Sequence, residues 1–322
     1  MTETLEVHCR GVIKEISAGR VIPFLGAGVN LCGRPEQEPW QIGKYLPNSG
    51  ELAEYLAGYF EYSNRSTQDL VRVSQYASVM MGTGPLYEEL HKVFDANYQP
   101  TPVHTFFAQL PSVLRANGHH SPYQLIVTTN YDDVLERAFS DAKEPFDVVT
   151  YMADSKDHEK KGKFLHWTPD KKLISIERPN EYWFPLDKNR NLQRTVILKI
   201  HGAVDRITSD HDSYVITEDH YIDFLTRADI STLVPVTLAE KLKRSHYLFL
   251  GYSLSDWNLR VILYRIWGGQ KLSYQSWAIL RSPSSIEQKQ FEQKLWSKRD
   301  VEILYVPLDE YVGTLTRLMQ TK

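Results

Sequence analysis

The chain has 322 residues, 42% of them hydrophobic and 24% charged, a balance that fits a folded globular protein and argues against disorder. Its 37 Lys and Arg against 40 Asp and Glu leave a net charge of -3, so no overall positive field draws it to nucleic acid or an anionic membrane. Two cysteines, Cys9 and Cys32, exclude a four-cysteine zinc site, no run reaches the roughly 18 apolar residues of a membrane span, and the N-terminus lacks a basic segment followed by an apolar one; a cytosolic protein without a disulfide framework is expected.

From Thr4 to Ala18, Leu5, Ile13 and Ile16 mark a rough helical face that stops at Gly19, before the strand-like "RVIPFLG" and the glycine turn "GAGVN". Residues Gly33 to Ser49, rich in Pro, Gly and polar side chains, read as a long loop able to close over whatever the turn binds. Helical patterns follow in "ELAEYLAGYF", "TQDLVRVSQYASVMM", "GPLYEELHKVF" and the shorter "TPVHTFFAQL", whose Pro102 suits a first turn. Together they predict a helical insertion over about residues 50–120. A second strand, "YQLIVTTN", runs directly into "YDDVLERAF", where Val134, Leu135 and Ala138 have helical spacing.

Beyond Asp147 come "DVVTY" and "KFLHWT", separated by "SKDHEKKGK", a charge run read as a solvated loop in preference to an anion patch. Three apolar runs follow, "TVILKIHG", "HYLFLGYS" and "QSWAILR", the last two leading to helical "SDWNLRVILYRI" and "SIEQKQFEQKLW"; "VEILYVP" and "DEYVGTLTRLM" close the chain. Near-continuous apolar strands alternating with helices predict an α/β fold, a doubly wound, mostly parallel Rossmann-like sheet with a helical insertion, as one domain over residues 1–322.

In a dinucleotide-binding turn three glycines serve the bend, the pyrophosphate and helix packing, with an acidic residue about 20 positions on. Gly26 and Gly28 suit the first two roles, but Leu31 occupies the third, and Glu51 and Glu54 lie in a helical pattern. A simple strand-to-helix connection stays open. Three further strand ends, "TTNYDD", "KIHG" and "GYSLSD", carry polar groups to where ligands of open α/β sheets bind.

These four segments, in this order from Gly19 to Asp256, resemble the sirtuin family, and "TTNYDDVLE" with "GYSLSD" is most similar to its bacterial anti-phage defence branch. The chain lacks the four-cysteine zinc module of sirtuin deacylases, and after GAG it reads "VNLCGRPEQEPW" in place of their glycine-isoleucine-proline-aspartate-phenylalanine-arginine loop. The resemblance implies an NAD glycohydrolase that uses NAD as substrate, needs no metal and depletes the cell of NAD. It implies Asn130 and His201 as catalytic residues, orienting and deprotonating a water or ribose hydroxyl. It also implies contacts to the dinucleotide from Gly26, Ala27, Gly28 and Asn30 at the pyrophosphate, Asp132 at the nicotinamide amide, and Gly251 and Ser253 at the adenosine half, so a side chain at Gly28 is expected to exclude the ligand.

Other readings stand beside these. A lone histidine is commonly a core or strand-end residue, Asp133 suits a helix cap, Gly251 suits a strand terminator, and His211, Asp212, Glu218 and His220 lack a compact metal-ligand spacing. NAD-dependent protein deacylation, ADP-ribosyl transfer and a catalytically silent nucleotide sensor are the competing functions. From the short stretch after the last helix no sensor region is expected; the expectation is a homo-oligomer, with a ring-forming HerA-type ATPase as protein partner and neither nucleic acid nor membrane.

Overall fold

The computed structural model describes residues 2–35, 38–120, 122–155, 159–184, 186–187, 191–226, 233–253, 260–261, 263–264, 266, 274–283 and 285–320. Helix α1 (Thr2–Ser17) leads into β1 (Val21–Leu25) and a 3-10 turn (Ala27–Leu31). Four helices follow: α2 (Ser49–Tyr59), α3 (Leu70–Met81), α4 (Thr83–Phe94) and α5 (Pro102–Ala116). After β2 (Leu125–Thr128), α6 (Val134–Asp141), β3 (Phe146–Tyr151), β4 (Phe164–Trp167) and β5 (Leu173–Ser175), the chain re-enters the sheet at β6 (Thr195–Lys199). It then forms the small ladder β7 (Gly202–Ala203) and β8 (Ser213–Tyr214), α7 (Glu218–Thr226), α8 (Val236–Lys243), β9 (His246–Leu250), β10 (Ser276–Leu280), α9 (Ile286–Ser297), β11 (Val301–Tyr305) and α10 (Leu308–Gln320).

Among the described residues nine strands form one sheet in the order β11-β10-β9-β1-β2-β6-β3-β4-β5, parallel except for the antiparallel β3-β4-β5 edge. Side chains alternate along each strand, so the sheet is apolar on both sides. Ile22 and Phe24 of β1 join a core with α7 and α8, while Val21 and Leu25 face α1, α5, α6 and α10. Pro23 is tolerated in this central strand because pairing with β2 begins only at Phe24↔Val127.

Local chemistry sets several helix ends. Asn48 and Glu51 form a reciprocal capping box at α2, Asp69 caps α3, and Pro102 occupies the first turn of α5 behind Thr101. Helix α5 runs through Pro111 to Ala116, past the shorter helix expected, because Leu110 and Leu114 continue its buried face. By packing, α5 belongs to the layer of α1, α6 and α10, whereas α2, α3 and α4 build a third cluster around Leu56, Val73 and Leu90 that also takes in Tyr131, Val204 and Tyr214. The expected helix over "SDWNLRVILYRI" and residues 254–256 of "GYSLSD" lie largely outside the described residues, although 260–261, 263–264 and 266 are helical. No described helix is long and apolar enough to cross a membrane.

Candidate functional site

Parallel strands place all their carboxyl ends on one edge. Strand β1 lies between β9 and β2, so the chain leaves it in one direction and returns on its other side, which opens a crevice where the strand order reverses. A cleft of about 1130 Å³ occupies this position, lined by Ala27, Gly28, Asn30, Asn130, Asp132, His201, Gly251 and Ser253. Gly26, the remaining residue of the expected set, is not among the lining residues.

The glycines of the first and last turns are fixed by each other. Gly26 N–H donates to the Leu250 carbonyl at 3.0 Å and Gly28 N–H to the Gly251 carbonyl at 2.9 Å. A Cβ on Gly28 would stand 2.7 Å from the Gly251 oxygen, and one on Gly251, at φ +73, would stand 2.4 Å from Val29 N. These are backbone collisions, so the turns need glycine to pack together, whatever they bind. Of the three N–H groups expected at a pyrophosphate, those of Gly26 and Gly28 are thus already engaged, and Ala27 N–H has no partner among the described residues. The collision expected at Gly28 with a ligand is first a collision with Gly251. Asn30, 5% exposed, carries a buried side-chain oxygen without a partner among the described residues.

The turn after β2 is tied to the one after β1. Thr128 Oγ1 donates to the Leu25 carbonyl at 2.9 Å and accepts from Asn130 N–H at 3.0 Å, while Asn130 Nδ2 reaches the Gly26 carbonyl at 3.4 Å. Thr129 Oγ1 lies 2.5 Å from the Tyr252 hydroxyl, joining the β2 and β9 ends. Asp132 Oδ1 accepts from Val134 N–H at 3.1 Å, whereas the buried Oδ2 has no partner among the described residues. Asp133 takes the cap position of α6, but its side chain makes no capping bond and pairs instead with Arg137 and Arg206.

His201 follows β6 and is 4% exposed, with Tyr221 and Phe224 edge-on to its ring at 5.5 Å and 5.9 Å. Val215 N–H donates to its carbonyl, and its Nε2 is buried without a partner among the described residues. Burial lowers the imidazole to about 3, so the ring is neutral at pH 7. Gly202 follows because the ladder brings Ser213 so close that a Cβ would lie 2.0 Å from its oxygen.

Residues outside the expected set complete the surroundings. Lys199, 1% exposed, donates to the Asp132 carbonyl and to Glu136 Oε1 at 2.7 Å. Its sequence signal was a lysine inside the apolar run "TVILKIHG". In the long loop Arg34 clasps Glu51 with bonds of 2.7 and 3.0 Å and donates to the Glu38 carbonyl, holding Pro47 and Asn48 against the cleft. Cys32 Sγ donates to Asp309 Oδ1 at 3.1 Å.

The scattered acidic and histidine residues are used elsewhere. Asp212 bonds His91 Nδ1 at 2.7 Å, Asp205 N–H and the Tyr214 hydroxyl, His211 pairs with Asp205, and His220 Nδ1 accepts from Ile216 N–H. Among the described residues no group of three or more His, Cys, Asp or Glu is disposed to hold a metal ion. In the charged run, Lys161 approaches Asp154 and Lys163 pairs with Glu177; residues 156–158 lie outside the described residues.

A family model described as the SIR2-like domain matches residues 124–304, which includes the β2, β6 and β9 turns and leaves the GAG turn outside. The chain is 28% identical over 257 residues to the protein named NAD(+) hydrolase ThsA of Acinetobacter baumannii, covering 79% of this chain and 41% of that one. It is 25% identical over 291 residues to Defense-associated sirtuin 2 of Bacillus subtilis, covering 89% and 23%, and 22% identical to NAD(+) hydrolase ThsA of Cytobacillus dafuensis, covering 83% and 42%. It therefore spans less than half the length of these relatives. With more than half of its residues inside the matched domain, on a mostly parallel sheet whose polar turns meet at one edge, the chain belongs to the SIR2-like family.

Proposed function

We propose that this chain is an NAD glycohydrolase that splits NAD into nicotinamide and ADP-ribose. The observation that carries the reading is that three buried polar atoms without a partner among the described residues, Asn30 Oδ1, Asp132 Oδ2 and His201 Nε2, belong to residues from three different strand ends that line one cleft. Buried polar atoms are ordinarily satisfied, so three orphans in one cleft mark where a ligand supplies the partners. The names of the relatives supply its identity.

The nicotinamide leaving group is already cationic, so breaking its bond to ribose needs no general acid; the site must stabilise an oxocarbenium-like ribose and direct a nucleophile. Neutral Asn130 both donates and accepts, which suits it to orient a water or ribose hydroxyl. His201, kept uncharged by burial, is available as proton acceptor, and an anionic pyrophosphate in the cleft raises its proton affinity. Asp132 Oδ2 accepts from the nicotinamide amide, Ala27 N–H and Asn30 lie toward the pyrophosphate, and Gly251 and Ser253 toward the adenosine half. Residues 1–322 act as one sirtuin-like domain in which residues 50–120 are the insertion. In the cell the activity serves defence by depleting NAD, in a self-assembled protein joined by a ring-forming HerA-type ATPase.

Purified protein incubated with NAD, alone and with a HerA-type ATPase, should release nicotinamide and ADP-ribose in equal amounts. Reduced cofactor absorbing in the near ultraviolet, or intact NAD recovered under both conditions, would overturn the reading. Transfer of ADP-ribose or removal of acyl groups from protein would replace it with the competing enzyme activities. Sedimentation of a monomer at micromolar concentration under both conditions would remove the assembly.

A further inference from the structure

A lysine buried to 1% exposure at the centre of a parallel sheet is costly, because its ammonium has left water. Lys199 is the last residue of β6, in register with Thr128 of β2 and Thr150 of β3. Its side chain takes the α6 side, where Glu136 accepts at 2.7 Å, while His201, two residues on, sits against Tyr221 and Phe224 of α7 on the other side. One strand end thus sends one polar side chain behind the β2 turn and the other in front of it.

The second partner of Lys199 is informative. Neutralising the ammonium needs only Glu136, yet Nζ also donates to the main-chain carbonyl of Asp132. The β2-β6 ladder ends with Ile200 N–H on the Thr128 carbonyl at 3.1 Å, and the next main-chain link is Val204 N–H on the Tyr131 carbonyl at 2.8 Å. Between them the two turns diverge around Asn130 and His201, and the Lys199 bond crosses behind that gap. With its carbonyl held by Lys199 and Oδ1 held by Val134 N–H, Asp132 keeps Oδ2 as its partnerless oxygen.

We propose that Lys199 is a positioning residue: by holding the Asp132 carbonyl it sets how the Asn130 to Asp132 turn faces His201. This rests on the cleft being the NAD-cleaving site, and acts through the turn without touching substrate. A flexible ammonium suits the task because it can meet a carbonyl and a carboxylate lying in different directions, which a planar guanidinium fits poorly.

The test separates position from stability. Lys199→Met alone leaves the half-buried Glu136 unpaired and is expected to destabilise the fold, so the decisive variant is the pair Lys199→Met with Glu136→Leu, in which apolar groups replace both charges. Its urea midpoint should stay near that of wild type. Amide hydrogen exchange over 129–133 should nevertheless accelerate by about 10-fold or more while the strand cores remain protected. In the NAD assay its kcat should fall by about 10- to 100-fold with a smaller change in KM, as expected when a reacting group is misplaced rather than removed. Wild-type exchange in that segment, or recovery of kcat together with stability, would overturn the proposal. If wild-type protein releases no nicotinamide, the functional reading falls on its own and the exchange measurement still decides the role of Lys199. Should the double variant not fold, Glu136→Gln keeps the bond to the Asp132 carbonyl; wild-type protection of the turn would support the proposal, and its loss would assign the hold to the ion pair instead.

Discussion

Gly28 and Gly251 meet backbone to backbone: the Gly28 N–H donates to the Gly251 carbonyl at 2.9 Å, and a Cβ on Gly28 would stand 2.7 Å from that oxygen and 2.8 Å from the Gly251 Cα. Neither neighbour is the far end of a flexible side chain. Gly28→Val should therefore lower stability by about 1–3 kcal/mol or more in urea unfolding, and lose NAD binding as a consequence. Gly251→Ala, strained additionally by its positive φ, should behave alike. A fully stable Gly28→Val protein that merely fails to bind would restore the ligand as the reason for this glycine.

His201→Ala separates binding from cleavage. Among the described residues the ring makes no side-chain hydrogen bond, so the variant should remain folded and bind NAD, yet, under the proposed function, lose on the order of 100-fold or more in turnover, the range of a removed acid-base group. Calorimetric titration with NAD beside nicotinamide release checks both halves. Unchanged turnover in a folded variant would dismiss His201 as the base.

The same histidine sensitises the fold to acid. Burial depresses His201 to about 3 and His104 to about 4, below the ordinary value of 6.5 in the unfolded chain. Below pH 6.5 the unfolded chain binds protons that the native one refuses, so each group's contribution, full above that pH, declines by up to about 1.4 kcal/mol per pH unit on acidification. His201→Gln should flatten the loss between pH 6.5 and 4 by the equivalent of one proton. Parallel stability curves for variant and wild type across that window would refute the assignment.

Asn130→Ala should also cost on the order of 100-fold in turnover, because under the proposed function it removes the amide that orients the nucleophile. Its bond to the Gly26 carbonyl is long at 3.4 Å, so stability should fall by no more than about 1 kcal/mol. A larger loss of stability, with turnover per folded molecule unchanged, would make Asn130 a structural tie.

Cys9 and Cys32 are both buried and their thiols are pushed up to about 12 by burial, Cys32 further by Asp309. Both should resist a maleimide in the native protein and react on unfolding. Chelators should leave NAD cleavage unchanged; stoichiometric zinc in purified protein would contradict this.

The alternating layers were legible in the sequence because a strand covered on both faces must be apolar throughout, and helices between such strands imply parallel crossovers; β1, β2, β6, β9, β10 and β11 are all short apolar runs. The four polar turns were legible for the same reason, since parallel strands send every carboxyl end to one edge. What the sequence left open depended on residues distant along the chain. That α5 continues through Pro111 is decided by the sheet face it covers, and local propensity at Pro111 points the other way. That Gly28 serves Gly251, that Asp132 rather than Asp133 bonds the first turn of α6, and that Lys199 is spent on a carbonyl 67 residues earlier are facts of approach between separate turns. Residue types and spacing determined which chemistry this edge of the sheet can offer. Only packing in three dimensions decided which polar atoms are already satisfied by the protein and which, in Asn30, Asp132 and His201, have no partner among the described residues.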